Sequence, residues 1–127
     1  MRTVIGTAII KDKNVLLVKK NQTWILPGGK PNAEETDEFC LEREVAEELS
    51  GARIKNITYY KTCIGKSPHR GDIIQVKVYR ADLQNEEEPP KPSAEISEAE
   101  WVKEWRFYHL SESTKQALTL LEQDALI

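Results

Sequence analysis

The 127-residue chain is poor in the residues that mark specialised classes of protein: two cysteines, one methionine, six glycines, six prolines, and a formal net charge of only −3. Two cysteines cannot staple a small fold, which excludes a disulfide-built mini-protein. Glycine and proline are too scarce for a collagen-like repeat, and a 39% hydrophobic content excludes a disordered chain. No apolar run approaches the roughly 20 residues needed to cross a bilayer, so no membrane role is expected. The opening MRTVIGTAIIKDK has one early basic residue, Arg2, but neither an extended apolar core nor a small-residue cleavage site. No secretory leader is read there, and a cytoplasmic protein with reduced, half-buried Cys40 and Cys63 is expected. His69 and His109 stand forty residues apart, a spacing that argues against zinc. The lack of basic excess argues against a polymeric nucleic acid as partner.

What is there suits one domain spanning residues 1–127, a length at which roughly two-thirds of the unfolded surface is hidden on folding. Charge is unevenly spread. Residues 34–48 hold eight of the 21 acids, and a second acidic group runs from Glu86 to Glu104. Between them the stretch 53–80 holds Arg53, Lys55, Lys61, Lys66, Arg70, Lys77 and Arg80 against one acid, Asp72. Such runs form solvated faces or, brought together, a cleft where cations and phosphates meet.

Hydrophobic patterning predicts a hairpin from Val4–Ile10 and Val15–Val18, turning at residues 11–14. A short extended piece at Trp24–Leu26 ends at Pro27-Gly28-Gly29. Residues 34–49 lack Gly and Pro and carry acids early, which predicts a helix stopped by Ser50-Gly51. Strands are expected at Arg53–Ile64, at the alternating Ile74, Val76 and Val78, and at Trp101–Phe107. A closing helix is expected from Ser111, its N-cap, to Glu122. The proline-rich segment 85–93 belongs on the surface. Strands mixed with two helices give an α/β or α+β fold.

The informative stretch is GGKPNAEETDEFCLEREVAEELSG, from Gly28 to Gly51. At helical spacing Glu44, Glu47 and Glu48 share one sector, while Leu41, Val45 and Leu49 form an adjacent apolar stripe. Like charges at these spacings cost roughly 0.2–0.5 kcal/mol per pair, and the helix dipole opposes acids in a last turn. A local violation of this kind is common at functional sites. A divalent cation is the natural compensation, and hard carboxylate oxygens suit Mg²⁺ or Mn²⁺. The glycine turn can bring the bare Gly29 carbonyl to the same ion.

These residues resemble the signature of the Nudix (MutT-like) hydrolases, G-x5-E-x7-R-E-U-x-E-E-x-G-U, with U a bulky aliphatic. Gly29, Glu35, Arg43, Glu44, Val45, Glu47 and Glu48 meet its first seven defined positions. Ser50 stands where the last glycine belongs and Gly51 where an aliphatic does, a departure that a helix ending one residue later would explain. The resemblance implies an α/β/α sandwich around a mixed sheet, with residues 29–51 as its signature segment. It also implies Mg²⁺-dependent cleavage of a nucleoside diphosphate linked to a group X, by attack of water on phosphorus. A nucleoside triphosphate, oxidised or not, or an ADP-ribose-like molecule would be the small-molecule substrate. Glu44 and Glu48 would be direct metal ligands, joined by Glu47 and the Gly29 carbonyl, and Arg43 and Glu35 would orient the carboxylates. The general base would be Glu44 or Glu48, with Glu95 and Glu98 as outside candidates. Arg70 and Lys66 are candidates for phosphate, and Trp24 for stacking on a base. The alternative is a Nudix-fold module that binds a nucleotide metabolite without cleaving it.

Overall fold

The computed structural model describes residues 1–85 and 90–127, so Glu86–Glu88 and Pro89 of the segment expected on the surface lie outside the described residues. Strands β1 (Arg2–Lys11) and β2 (Asn14–Lys20) form the expected hairpin, with Ile10 opposite Val15 and Lys11 opposite Asn14. Asp12 and Lys13 between them have φ of 50° and 64°, the paired left-handed conformation that matches the twist of a two-residue hairpin. There follow β3 (Thr23–Ile25), β4 (Gly28–Gly29), helix α1 (Asp37–Glu48), β5 (Ile54–Lys66), β6 (Ile73–Leu83), β7 (Glu98–Val102) and helix α2 (Glu112–Gln123). The strands run in the order β3-β2-β1-β6-β5, with β4 paired to β1 and β7 to β2. β1 and β6 are parallel and the other pairs antiparallel, so the sheet is mixed.

Alternation along the strands divides the core into two layers. Ile5 and Ile9 of β1 join Leu41, Val45 and Leu49 of α1, while Ala8 joins Val76 and Val78 beneath Ala117, Leu118 and Leu121 of α2. The two helices therefore cover opposite faces, the α/β/α arrangement expected. Each fully buried aliphatic contributes roughly 1.5–3 kcal/mol. β5 is an edge strand, and α2 covers part of that edge. The Ile64 N–H donates to Gln116 Oε1 at 2.9 Å and the Lys66 N–H donates to the Glu112 carboxylate, which removes two open donors from a surface prone to pairing.

Four local expectations need correction. Helix α1 starts at Asp37, not at Glu34: the Thr36 hydroxyl caps it by accepting from the Phe39 N–H at 3.2 Å, and Glu34 has φ +66°. The last strand is Glu98–Val102, after which residues 105–107 form a single 3₁₀ turn that buries Trp105. Cys40 and Cys63 are free but wholly buried rather than half-buried. The helix does not end one residue late. Leu49 is the C-cap, Ser50 takes the left-handed conformation at φ +51°, and the Gly51 N–H returns to the Ala46 carbonyl at 2.8 Å. Ser50 thus adopts the glycine conformation without being glycine.

Candidate active site

The signature segment folds so that β4, the loop after it and α1 bring their polar groups to one corner of the sheet. Gly28 pairs with Gly6 of β1 at φ +149°, and a Cβ there would lie 2.0 Å from the Ile5 carbonyl oxygen. Only glycine fits that approach. At Gly29 a Cβ would come within 2.4 Å of the Glu44 carboxyl carbon, so that carboxylate lies directly against the glycine backbone. The Gly29 carbonyl accepts from Cys40 Sγ at 3.6 Å, which fixes its orientation.

Arg43 organises the acids. Its Nε and Nη2 donate to both oxygens of Glu35 at 2.8 Å each, and its Nη1 donates to Glu44 at 2.8 Å. Glu47 lies 3.5 Å from the same Nη1 with its side chain 55% exposed. The forked Arg43 contact and the Asn32 N–H hold the Glu35 carboxyl down at about 2. Glu44 is shifted the other way, because its burial outweighs Arg43. Glu48, 8% exposed, accepts among the described residues only the Gly28 N–H, at 2.9 Å, and burial pushes its carboxyl up to about 8.

The donor chemistry fits a hard divalent cation. Glu48 is a desolvated carboxylate with one hydrogen bond, and Glu44 sits against the Gly29 backbone on the neighbouring turn. Among the described residues no three Asp, Glu, His or Cys side chains already converge into a metal cage. Glu44 is turned to Arg43, and Glu47 faces outward.

Glu48, Gly28 and Gly29 open into a cleft of about 240 Å³. Val4, Gly6, Leu26, Ile74 and Val76 line it with apolar surface, while Ser67, His69, Ser113 and Thr114 supply polar groups. Arg2, Lys20 and Lys30 add cations. The other sequence candidates stand apart from it. Arg70 is exposed in the loop after β5 and does not line the cleft. Trp24 is buried in the core, edge-on to Tyr108 at 5.2 Å. Glu95 pairs with Lys20 at 2.8 Å and Glu98 with Lys19 at 3.1 Å, so only Lys20 links one of them to the cleft. Lys66 lies in an adjoining hollow with His109. Sequence reasoning passed over Arg2, Lys20, Ser113 and Thr114. Nothing local marks the first two. The others follow the correctly read cap Ser111.

The sequence matches the NUDIX domain family over residues 1–122. The chain belongs to that family. A search of curated proteins returns no match. Among solved structures, the fold is similar to that of a MutT NUDIX hydrolase from Burkholderia pseudomallei, at 24% identity and TM-score 0.75, covering 93% of this chain and 95% of that one. It is also similar to the NUDIX domain of Shewanella oneidensis NrtR complexed with ADP ribose, at 18% identity and TM-score 0.78, covering 98% and 88%. A UDP-X diphosphatase shares the fold at 20% identity and TM-score 0.78, covering 96% of this chain and 61% of that one. Among the described residues no helix is long and apolar enough to cross a membrane.

Proposed function

We propose that the chain, as one domain, is a Mg²⁺- or Mn²⁺-dependent pyrophosphohydrolase acting on a nucleoside diphosphate linked to X. The observation that carries this reading is the buried Glu48 carboxylate at the wall of the cleft, short of hydrogen bonds and one turn from Glu44. Glu48, Glu44, Glu47 and the Gly29 carbonyl would hold the ion. Bound there, a divalent cation supplies charge neutralisation at phosphate oxygens and a more acidic water.

The protein's own groups do the rest. Arg43 fixes Glu44 and is fixed by Glu35, so the carboxylates meet substrate already oriented. Glu44, whose burial strengthens its hold on a proton, takes the proton of the attacking water. Lys20 and Lys30 at the cleft favour the anionic diphosphate. Phosphorus–oxygen cleavage then yields a nucleoside monophosphate and phospho-X, or pyrophosphate from a triphosphate.

The test is a product assay over nucleoside triphosphates, oxidised nucleotides, ADP-ribose, dinucleoside polyphosphates and nucleotide sugars with each metal, beside Glu48→Gln. Metal-dependent turnover that collapses in the variant is expected. A substrate that raises the melting temperature without being cleaved would instead establish a binding module.

A further inference from the structure

The proposed hydrolysis uses the carboxylate end of the cleft and leaves its opposite end without a role. Arg2, Val4 and Gly6 alternate along one face of β1, and all three line the cleft. Gly6 stands opposite Gly28, whose N–H holds Glu48, so it marks the carboxylate end. Arg2 is four residues away, about 13 Å along the strand. A substrate with its diphosphate at the carboxylates has room there for a ribose and a base before it meets Arg2.

Arg2 is built to be read from one side. Its Nε and Nη2 donate to the two oxygens of Asp72 at 2.9 and 2.8 Å, which fixes the guanidinium plane. Among the described residues its Nη1 has no hydrogen-bond partner, and the side chain is 25% exposed. A guanidinium has donors and no acceptors. Ser113, 7% exposed, lines the same cleft with a hydroxyl that can donate or accept. The surface between them is aliphatic: Val4, Ile74 and Val76. A flat, largely neutral group fits this surface better than a second phosphate, whose desolvation over aliphatic walls is costly.

Building on the hydrolase reading, we infer that Arg2, aligned by Asp72, is a specificity residue that selects a purine presenting two adjacent acceptors, guanine rather than adenine. Guanine offers O6 and N7 side by side, whereas adenine puts an amino donor next to N7, facing the arginine's own donors. Ser113, as donor or acceptor, completes the base contact. Arg2 acts on which substrate enters and not on the bond that breaks.

The experiment is calorimetric titration of GMP and AMP with Mg²⁺ into the wild type, Arg2→Gln, Arg2→Lys and Asp72→Asn. Monophosphates hold no anhydride, so affinity is read without turnover. GMP is expected to bind about ten- to a hundredfold more tightly than AMP, the range of one bidentate base contact. Arg2→Gln and Arg2→Lys should abolish the preference and Asp72→Asn should reduce it, with circular dichroism unchanged. Equal binding of the two nucleotides by wild type, binding of neither, or a preference that survives in both Arg2 variants overturns the inference. Tighter binding of inorganic phosphate than of GMP, lost in Arg2→Gln, overturns it in favour of a phosphate contact. The hydrolase reading fails separately, when Glu48→Gln turns over GTP as fast as wild type while the Arg2-dependent preference stands.

Discussion

The Glu48 carboxylate accepts the Gly28 N–H at 2.9 Å, a contact across twenty residues that ties the last turn of α1 to the glycine turn of β4. That one bond does not repay the burial of a charge, and the carboxyl is pushed up to about 8 from an ordinary 4.5. Between those values the folded protein holds a proton that the unfolded chain has lost. The Glu48 contribution to stability is therefore present below about pH 4.5 and disappears as pH rises to about 8. In EDTA the melting temperature should fall over this window, and Glu48→Gln should flatten the fall. Saturating Mn²⁺ should restore the wild type at pH 8 and leave the variant unmoved. A wild-type profile as flat as the variant's would show that Glu48 is not buried as a charge.

Gly29→Ala tests the other half of the corner. The backbone at Gly29 is not left-handed, so alanine is tolerated conformationally, but its Cβ would sit 2.4 Å from the Glu44 carboxyl carbon. Glu44 has to swing away. Turnover should fall about ten- to a hundredfold, the usual effect of displacing a metal-site group, while the urea midpoint shifts little. A large loss of stability with full specific activity would place Glu44 outside the chemistry.

The signature was legible because its residues are close in sequence and follow a helical period. Leu41, Val45 and Leu49 face the sheet because a spacing of four repeats along one side of α1. The start of that helix was misread, since Glu34 and Glu35 look like first-turn acids. Glu35 is instead held outside the helix by Arg43, and Thr36 takes the cap. The cleft was hardly legible. Arg2, Lys20, Ser67 and Ser113 come from β1, β2, the loop after β5 and α2, and they meet only through the tertiary fold. Trp24 is a candidate for stacking because sequence alone does not separate a strand aromatic that meets a base from one that packs in the core. The bridge from Trp24 to Leu110 and the edge contact with Tyr108 put it in the core.

Arg43→Lys keeps the charge but cannot reproduce the fork that grips Glu35 while a third nitrogen holds Glu44. We expect kcat to fall about ten- to a hundredfold, with KM for the nucleotide little changed, because the residue orients acids and does not grip substrate. Glu35→Gln should give a smaller loss in the same direction. A change confined to KM in steady-state kinetics would show that Arg43 contacts the substrate itself.

The serine at the signature's last glycine position makes the final prediction. Ser50 holds φ +51°, a conformation that costs a residue with a Cβ roughly 1–2 kcal/mol. Ser93 compensates: its hydroxyl accepts the Ser50 N–H at 2.8 Å and donates to the Glu47 carbonyl at 2.5 Å, and its own N–H donates to the Glu48 carbonyl at 2.8 Å. Ser93 therefore serves the end of α1 as a cap supplied from a distant segment. Ser50→Gly should stabilise the protein by about 0.5–1 kcal/mol, the strain relief less the extra freedom glycine brings to the unfolded chain. Ser93→Ala should destabilise it by about 1 kcal/mol, as loss of a cap does. Urea unfolding reads both, and kcat in Ser50→Gly should match wild type because neither Glu47 nor Glu48 needs to move. A loss of turnover in Ser50→Gly would mean that the strained turn itself sets the position of the two carboxylates.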